Sequence, residues 1–290
     1  KPDMVHSMTP KAGLLCMMAA WLSRVPVRVH TFTGLVWPTA TGLSRHILML
    51  TDKLTCFCAT HVIPEGEGVK NDLQRCITSK PMKVLGYGNV RGVDLNYWKK
   101  SASLPSAGNK AFTFVFVGRI VRDKGINELV GAFARLNKKH PLARLVLVGP
   151  AEDGLDPVSP ETKRLMNEIE AIDAVGSQKD VRPYYEKADA LVFPSYREGF
   201  PNVVIEAGAM ELPSIVTDIN GSREIIKDGE NGLIVPPRNE NALYEAMEYM
   251  IENEKDVRRM SANARQMVAQ RFEQGFVRQC LKDFYCEIMK

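Results

Sequence analysis

The chain has 290 residues, 45 per cent hydrophobic and 25 per cent charged, the composition of a globular protein of one or two domains. No run approaches the roughly 18 apolar residues of a transmembrane helix, and no zinc-finger spacing, RNA-binding signature or basic helix points to nucleic acid. Charge is uneven: residues 1–110 carry 14 Lys and Arg against 6 Asp and Glu, and residues 111–290 carry 24 against 28, so +8 and −4 make up the net +4. The basic first part suits an anionic partner, such as a phosphorylated substrate or a membrane surface, or is simply a solvated face. Cys16, Cys56, Cys58, Cys76, Cys280 and Cys286 form no C-x-x-C pair; they read as reduced, which fits a cytoplasmic protein.

In chain order, residues 3–6 end a strand, 11–23 read as a helix and 27–32 as a second strand running into Thr33-Gly34. Residues 43–55 give a helix with Ile47, Leu50 and Leu54 on one face. Residues 59–63 give a third strand, 68–77 a short helix and 82–85 a fourth strand. Alternating strand and helix implies a parallel α/β sheet. The glycine-rich run 86–92 is not G-x-G-x-x-G and no helix pattern follows it, so a dinucleotide fingerprint is unsupported. Residues 94–110 lose periodicity and gain Ser, Pro and Gly, the character of a connection between domains.

A second α/β unit follows. Strands are expected at 112–117, 144–148, 173–175, 190–193, 213–217 and 232–235. Helices are expected at 126–136, 161–171, 181–187, 203–212 and 222–226, then a helical tail at 240–253, 256–272 and 275–289. In open α/β sheets, ligands bind outside the carboxyl ends of the strands. Gly118-Arg119, Gly149, Gly176 and residues 198–202 all fall at such ends. Arg119 and Lys124 flank one tight loop, a fork and a point charge suited to a diphosphate.

The chain is organised around residues 193–207. Phe193 closes an apolar strand, Gly199 and Pro201 mark a turn, and Asn202 reads as the N-cap of an almost wholly apolar helix. Glu206 in that helix therefore looks buried and should have a partner or a ligand. A helix start is a ready anion site. Glu198 before the turn and Glu206 after it suit hydroxyls better than the anion itself, which suggests a sugar nucleotide. The alternative is a capped helix with two surface acids.

Phe116-Val117-Gly118-Arg119 with Lys124-Gly125, Pro194-Ser195 with Arg197-Glu198-Gly199 and Glu206-Ala207, and Asn231-Gly232-Leu233 resemble the retaining GT-B glycosyltransferases of family GT4. The Glu198–Glu206 spacing matches the family's E-x7-E motif. Lys1 to His6 with Thr9 to Gly13 resembles, more loosely, the middle of the acceptor domain in bacterial capsule and O-antigen transferases. The resemblance implies two Rossmann-like domains, the first incomplete at its amino-terminus: an acceptor-side domain at 1–95, a linker at 96–111, a nucleotide-sugar domain at 112–272, and a last helix at 273–290 crossing back to the first. The family's opening strand and glycine-rich loop would lie outside this chain.

The same resemblance implies residue roles. Arg119 and Lys124 would neutralise the donor diphosphate, with Gly118, Gly149 and Gly176 at the donor site. Glu206 would hold the ribose hydroxyls and Glu198 the donor sugar. Gly199, Phe200, Pro201 and Asn202 would close around sugar and phosphates, and residues 175–182 would lie against the base. Glu198, Arg119 and Lys124 are thus the expected catalytic group, with Glu198 a positioner of the sugar and not a nucleophile. No D-x-D triplet occurs, which agrees with a transferase that uses protein cations and needs neither metal nor cofactor. UDP is the expected nucleotide, with GDP second. The expected acceptor is a lipid-linked polysaccharide precursor at the inner membrane face, with Lys11, His30 and Thr33 on the acceptor side; His30 also reads as a plain strand residue. The competing functions are a GT-B sugar-nucleotide epimerase and a nucleotide-binding module without turnover.

Overall fold

The computed structural model describes residues 2–101, 111–152, 154 and 156–290. It divides into two units. The first comprises the chain as far as Gly92 together with Glu198–Phe200 and Arg271–Lys290; the second comprises Val93–Arg197 and Pro201–Gln270. Most of the segment read as a linker, residues 102–110, lies outside the described residues.

The first unit is a three-stranded parallel sheet of β1 (Met4–Ser7), β2 (Val27–Phe32) and β3 (His61–Pro64) in the order β1-β2-β3. The intervening helices are α1 (Pro10–Leu22) and α2 (Gly42–Cys58), and α3 (Glu67–Cys76) follows β3. One side of the core holds Met17, Phe32, Trp37, Cys56, Val62 and Leu73. On the other, Val29, Ile63 and Leu85 pack with Phe284 of the last helix. The fourth strand expected at 82–85 is not formed: Met82 makes a single bridge to Val62. Pro81 brings no N–H to a ladder, and Gly86 turns the chain away with φ +57°.

The second unit is a six-stranded, wholly parallel sheet. Its strands are β4 (Thr113–Val117), β5 (Arg144–Val148), β6 (Ile172–Gly176), β7 (Ala190–Phe193), β8 (Ser214–Thr217) and β9 (Gly232–Val235). Their order, β6-β5-β4-β7-β8-β9, is that of a doubly wound fold. The crossovers are α4 (Ile126–Lys139), α5 (Pro160–Glu168), α6 (Arg182–Lys187), α7 (Asn202–Ala209) and α8 (Ser222–Ile225). Then come α9 (Glu240–Glu252), α10 (Glu254–Phe272) and α11 (Gln274–Ile288). β4 and β7 read as continuous apolar runs because helices cover both faces of a parallel sheet. The rings of Phe116 and Phe193 stack between them at 5.9 Å. On α4, Ile126, Leu129, Val130, Phe133 and Leu136 repeat every three to four residues and are all fully buried. At about 1.5–3 kcal/mol for each large side chain removed from water, this stripe fixes α4 on the sheet.

The helix after β7 differs from its expected form. Pro201 is its N-cap and makes no side-chain cap bond, so Asn202 is the first helical residue. Pro201 takes φ −71° with an extended ψ, the conformation its ring favours outside a helix. The helix ends at Ala209, before Leu212, and Glu211 turns left-handed at φ 57°.

Candidate functional site: the carboxyl edge of the doubly wound sheet

In a doubly wound sheet the ligand crevice opens where strand order reverses. Here that point lies between β4 and β7, and the chain leaves β4 through Gly118-Arg119 and β7 through Pro194–Arg197. The two loops are held together by backbone. After Arg119 the chain makes a single 3-10 turn at Arg122–Lys124, stopped by Gly125 at φ 71°. A Cβ on Gly125 would stand 2.1 Å from the Pro194 carbonyl oxygen, so the approach of the loops requires glycine. The Tyr196 N–H donates to the Asp123 carbonyl at 2.9 Å, and the Arg197 guanidinium lies 3.4 Å from the Asp123 carboxylate. Thr217 on β8 donates to the Ser195 carbonyl, fixing the loop from the other side. Gly149 packs as closely: its Cβ would fall 1.9 Å from the Gly118 carbonyl, and its N–H donates to Gly176 at 2.9 Å. Gly149 thus lets the ends of β4 and β5 meet as bare backbone, while the position of a Cβ on Gly176 is open.

Arg119 is half-exposed and paired with Glu152, Nη1 to carboxylate 2.9 Å; the sequence reading missed this partner. An exposed pair of this kind contributes about 0–1 kcal/mol, so Glu152 holds Arg119 only weakly. The Lys124 ammonium lies 5.2 Å over the Phe193 ring. Tyr196 donates to the Glu128 carboxylate at 2.6 Å, a further contact with no local signature.

Glu206 faces partly outward from α7, half-buried where the sequence suggested full burial. Helix periodicity explains this: Ile205 and Ala207 enter the core while Asn202, Val203 and Glu206 share the outer side. Beneath α7, Tyr185 is fully buried and donates to the Val203 carbonyl at 3.4 Å. Burial, with the Glu206 charge nearby, holds its phenol well above the usual range.

Glu198, Gly199 and Phe200 belong to the first unit. Within it, a Cβ on Gly199 would stand 2.0 Å from the Thr33 carbonyl, and one on Gly34 would meet the Gly199 backbone at 3.2 Å. Phe200 is buried against Phe272, with ring centroids 5.4 Å apart. The segment therefore sits at the carboxyl ends of β2 and β3.

Lys11 is exposed in the first turn of α1, and Thr33 is exposed with its hydroxyl 3.3 Å from the Met8 carbonyl. His30 is 1 per cent exposed and hydrogen-bonded to Ser7 at 2.7 Å. Burial, reinforced by His6, lowers its pKa to about 4. Its ring fills the space over Gly13, where a Cβ would approach to 2.2 Å. This geometry favours the plain strand reading of His30.

At the opposite, amino-terminal side of the sheet, His140, Glu248 and Glu252 bring three ligand-type atoms within 4.8 Å. The Lys139 ammonium already bridges both carboxylates, at 3.0 and 3.1 Å, and so supplies the cation there.

A parallel sheet with its crevice at β4 and β7 defines a doubly wound, Rossmann-like type of protein. Solved structures agree in fold. Sucrose-phosphate synthase from Thermosynechococcus elongatus superposes with a TM-score of 0.83 at 24 per cent identity, covering 99 per cent of this chain and 74 per cent of the other. The Anabaena HepE protein in complex with UDP gives 0.84 at 20 per cent, covering 98 and 79 per cent. Residues 98–267 match the family model of glycosyl transferases group 1. Over 297 residues the chain is 31 per cent identical to the capsular polysaccharide biosynthesis glycosyltransferase CapM of Staphylococcus aureus, spanning all of this chain and 78 per cent of that protein. It is 26 per cent identical over 301 residues to an Escherichia coli UDP-Gal:alpha-D-GlcNAc-diphosphoundecaprenol alpha-1,3-galactosyltransferase, spanning all of this chain and 76 per cent of that protein. The chain belongs to the group 1 glycosyltransferase family.

Proposed function

We propose that the chain transfers a sugar from a UDP-sugar to a lipid-linked polysaccharide precursor, with retention of anomeric configuration and without a metal. The observation that carries this reading is the placement of Arg119 and Lys124 at the switch point of the doubly wound sheet, with Glu206 on the outer side of α7. In the reaction the bond from the anomeric carbon to the diphosphate oxygen breaks, and a bond from that carbon to an acceptor hydroxyl forms on the same face. The acceptor proton passes to the departing phosphate, and UDP leaves. Negative charge grows on the diphosphate as the bond breaks. Arg119, Lys124 and the N–H groups opening α7 are set to stabilise it, one such donor being worth roughly 3–4 kcal/mol. Glu206 accepts from the ribose hydroxyls and Glu198 from those of the sugar. Gly118, Gly149 and Gly176 leave room for phosphate and base, and Gly199, Phe200, Pro201 and Asn202 close over the donor. Lys11 and Thr33 are the exposed groups of the acceptor side.

A membrane surface as partner draws support from α1 and α2. Leu43, Ile47, Leu50, Leu54 and Phe57 form one face of α2 and are all exposed, Leu43 by 75 per cent; Leu15, Trp21 and Leu22 are exposed on α1. The exposed charges beside them, Lys11, Arg24, Arg45 and Lys53, are all cations. α1 has no acid, and burial raises Asp52, the acid of α2, to about 6. Apolar side chains ringed by cations fit an anionic lipid surface. Among the described residues no helix is long and apolar enough to cross a membrane.

The test is transfer of labelled sugar from UDP-sugars to a polyprenyl-diphosphate-linked saccharide in the presence of chelator. Wild type should transfer, and Arg119→Ala and Glu198→Ala should be slower by about a hundredfold or more. Normal turnover in both variants would refute the reading. Sugar interconversion without acceptor would assign an epimerase instead.

A further inference from the structure

Glu65 follows β3, at the carboxyl edge of the first unit, and is 5 per cent exposed. A buried carboxylate is costly unless paired, and among the described residues no cation forms an ion pair with it. Its backbone is fixed on both sides: its N–H donates to Phe32 at 3.0 Å, and its carbonyl accepts from Asn89 at 2.8 Å. Its side chain accepts from the Val90 N–H. Gly88, at φ +88°, is the hinge of this packing, for a Cβ there would meet the Phe200 ring at 2.6 Å and the Glu65 carbonyl at 2.7 Å. Glu65 and residues 198–200 therefore share one patch of packing within one unit.

The titratable and charged groups on the surrounding elements are His30 on β2, Arg91 on the turn and Glu198 on its segment. His61 and Glu67 lie on the same stretch of chain as Glu65. Burial, with a smaller push from the Glu198 charge, lifts the Glu65 carboxyl to about 8 against the Val90 hydrogen bond. Neutral Glu65 lies buried in the same patch as the Phe200 ring. Ionised, it would set its charge against that of Glu198.

We propose that Glu65 is a positioning residue for Glu198: in its neutral form it holds the Glu198–Phe200 segment in the geometry that reads the donor sugar, and on ionisation it releases it. This rests on the transfer reading above, in which Glu198 contacts the sugar.

Two measurements test it. The first is kcat/KM against pH. In wild type it should fall about tenfold per pH unit above pH 8. Glu65→Gln, which keeps the size and the Val90 acceptor, should stay within roughly threefold of wild type at neutral pH and lose that alkaline limb. The second is Tm against pH from about 6.5 to 8. The folded pKa is raised from 4.5, so the folded state binds the extra proton and wild-type stability should fall as pH rises through this window. His6, His30 and His61 are all lowered from 6.5 and act below it. Glu65→Gln should flatten the slope. Loss of both limb and slope supports the proposal. A limb shared by wild type and variant overturns it, even if the slope is lost, because Glu65 would then titrate without serving the site. A slope unchanged in Glu65→Gln also overturns it. No turnover by wild type at any pH would instead refute the transfer reading on which it rests.

Discussion

The two sheets end in opposite chemistry. At the carboxyl ends of β4 and β7, glycines bring backbone loops into contact and the side chains left pointing out include two cations, Arg119 and Lys124. At the ends of β2 and β3, glycines do the same for residues 198–200, but the ionisable side chains there include two acids, Glu65 and Glu198. Parallel topology supplies the same slot twice, and residue type decides what each can hold. Cations suit a leaving diphosphate, whereas carboxyls suit the hydroxyls of a sugar.

If that division is right, the largest effect should come from the cationic end. Arg119→Ala and Lys124→Ala should each lower kcat by about a hundredfold to a thousandfold, while urea midpoints stay at the wild-type value. A large drop in stability instead would make the cations structural. Next comes the backbone contact that builds the slot. Gly125→Ala places a methyl against the Pro194 carbonyl at a left-handed φ, and should cost about 1–3 kcal/mol in urea unfolding. An unchanged midpoint would show that the loops are not held by this approach. Glu206→Ala should raise the donor KM by roughly tenfold to a hundredfold, the loss of hydrogen bonds to a charged acceptor, with a smaller change in kcat. The smallest effect on the fold belongs to α2. Leu50→Glu should shift stability by no more than about 0.5 kcal/mol and yet abolish flotation with anionic vesicles; retained flotation would remove the membrane from the account.

The pH dependence divides in the same way. His30 is held neutral, with its pKa lowered to about 4. Its contribution to stability is present above the ordinary value of 6.5 and is lost as pH falls through about 4. Glu65 acts in the opposite sense: its contribution is full below 4.5 and is lost as pH rises through about 8. The two slopes oppose each other between about 4.5 and 6.5, so thermal melts should show stability falling from about pH 6.5 to 8, and His30→Asn should change the profile only below about 6.5.

Much of this was legible in the sequence, for reasons that differ by residue. The strands of the second unit showed as short apolar runs because both their faces are covered. The acids at 198 and 206 stood out because spacing along one turn and one helix is a local property. Arg119 and Lys124 were visible as strand-end cations, but not the pairing of Arg119 with Glu152, which depends on how β4 and β5 lie side by side. Glu65 gave no signal: one acid after an apolar strand looks like a loop residue until the packing of Phe200 on Gly88 is known. Residues 82–85 carried a strand composition, yet the chain makes only one bridge there before Gly86 turns it. On α2, periodicity revealed an apolar face without revealing that the face is exposed, since the same pattern on α4 is wholly buried.

The most direct test of the central claim is calorimetric titration of the chain with UDP in chelator, for wild type and Glu206→Ala. The account predicts binding at one site in wild type, abolished or weakened by at least about tenfold in the variant. Absence of binding to the wild type, or equal binding by both proteins, would contradict it.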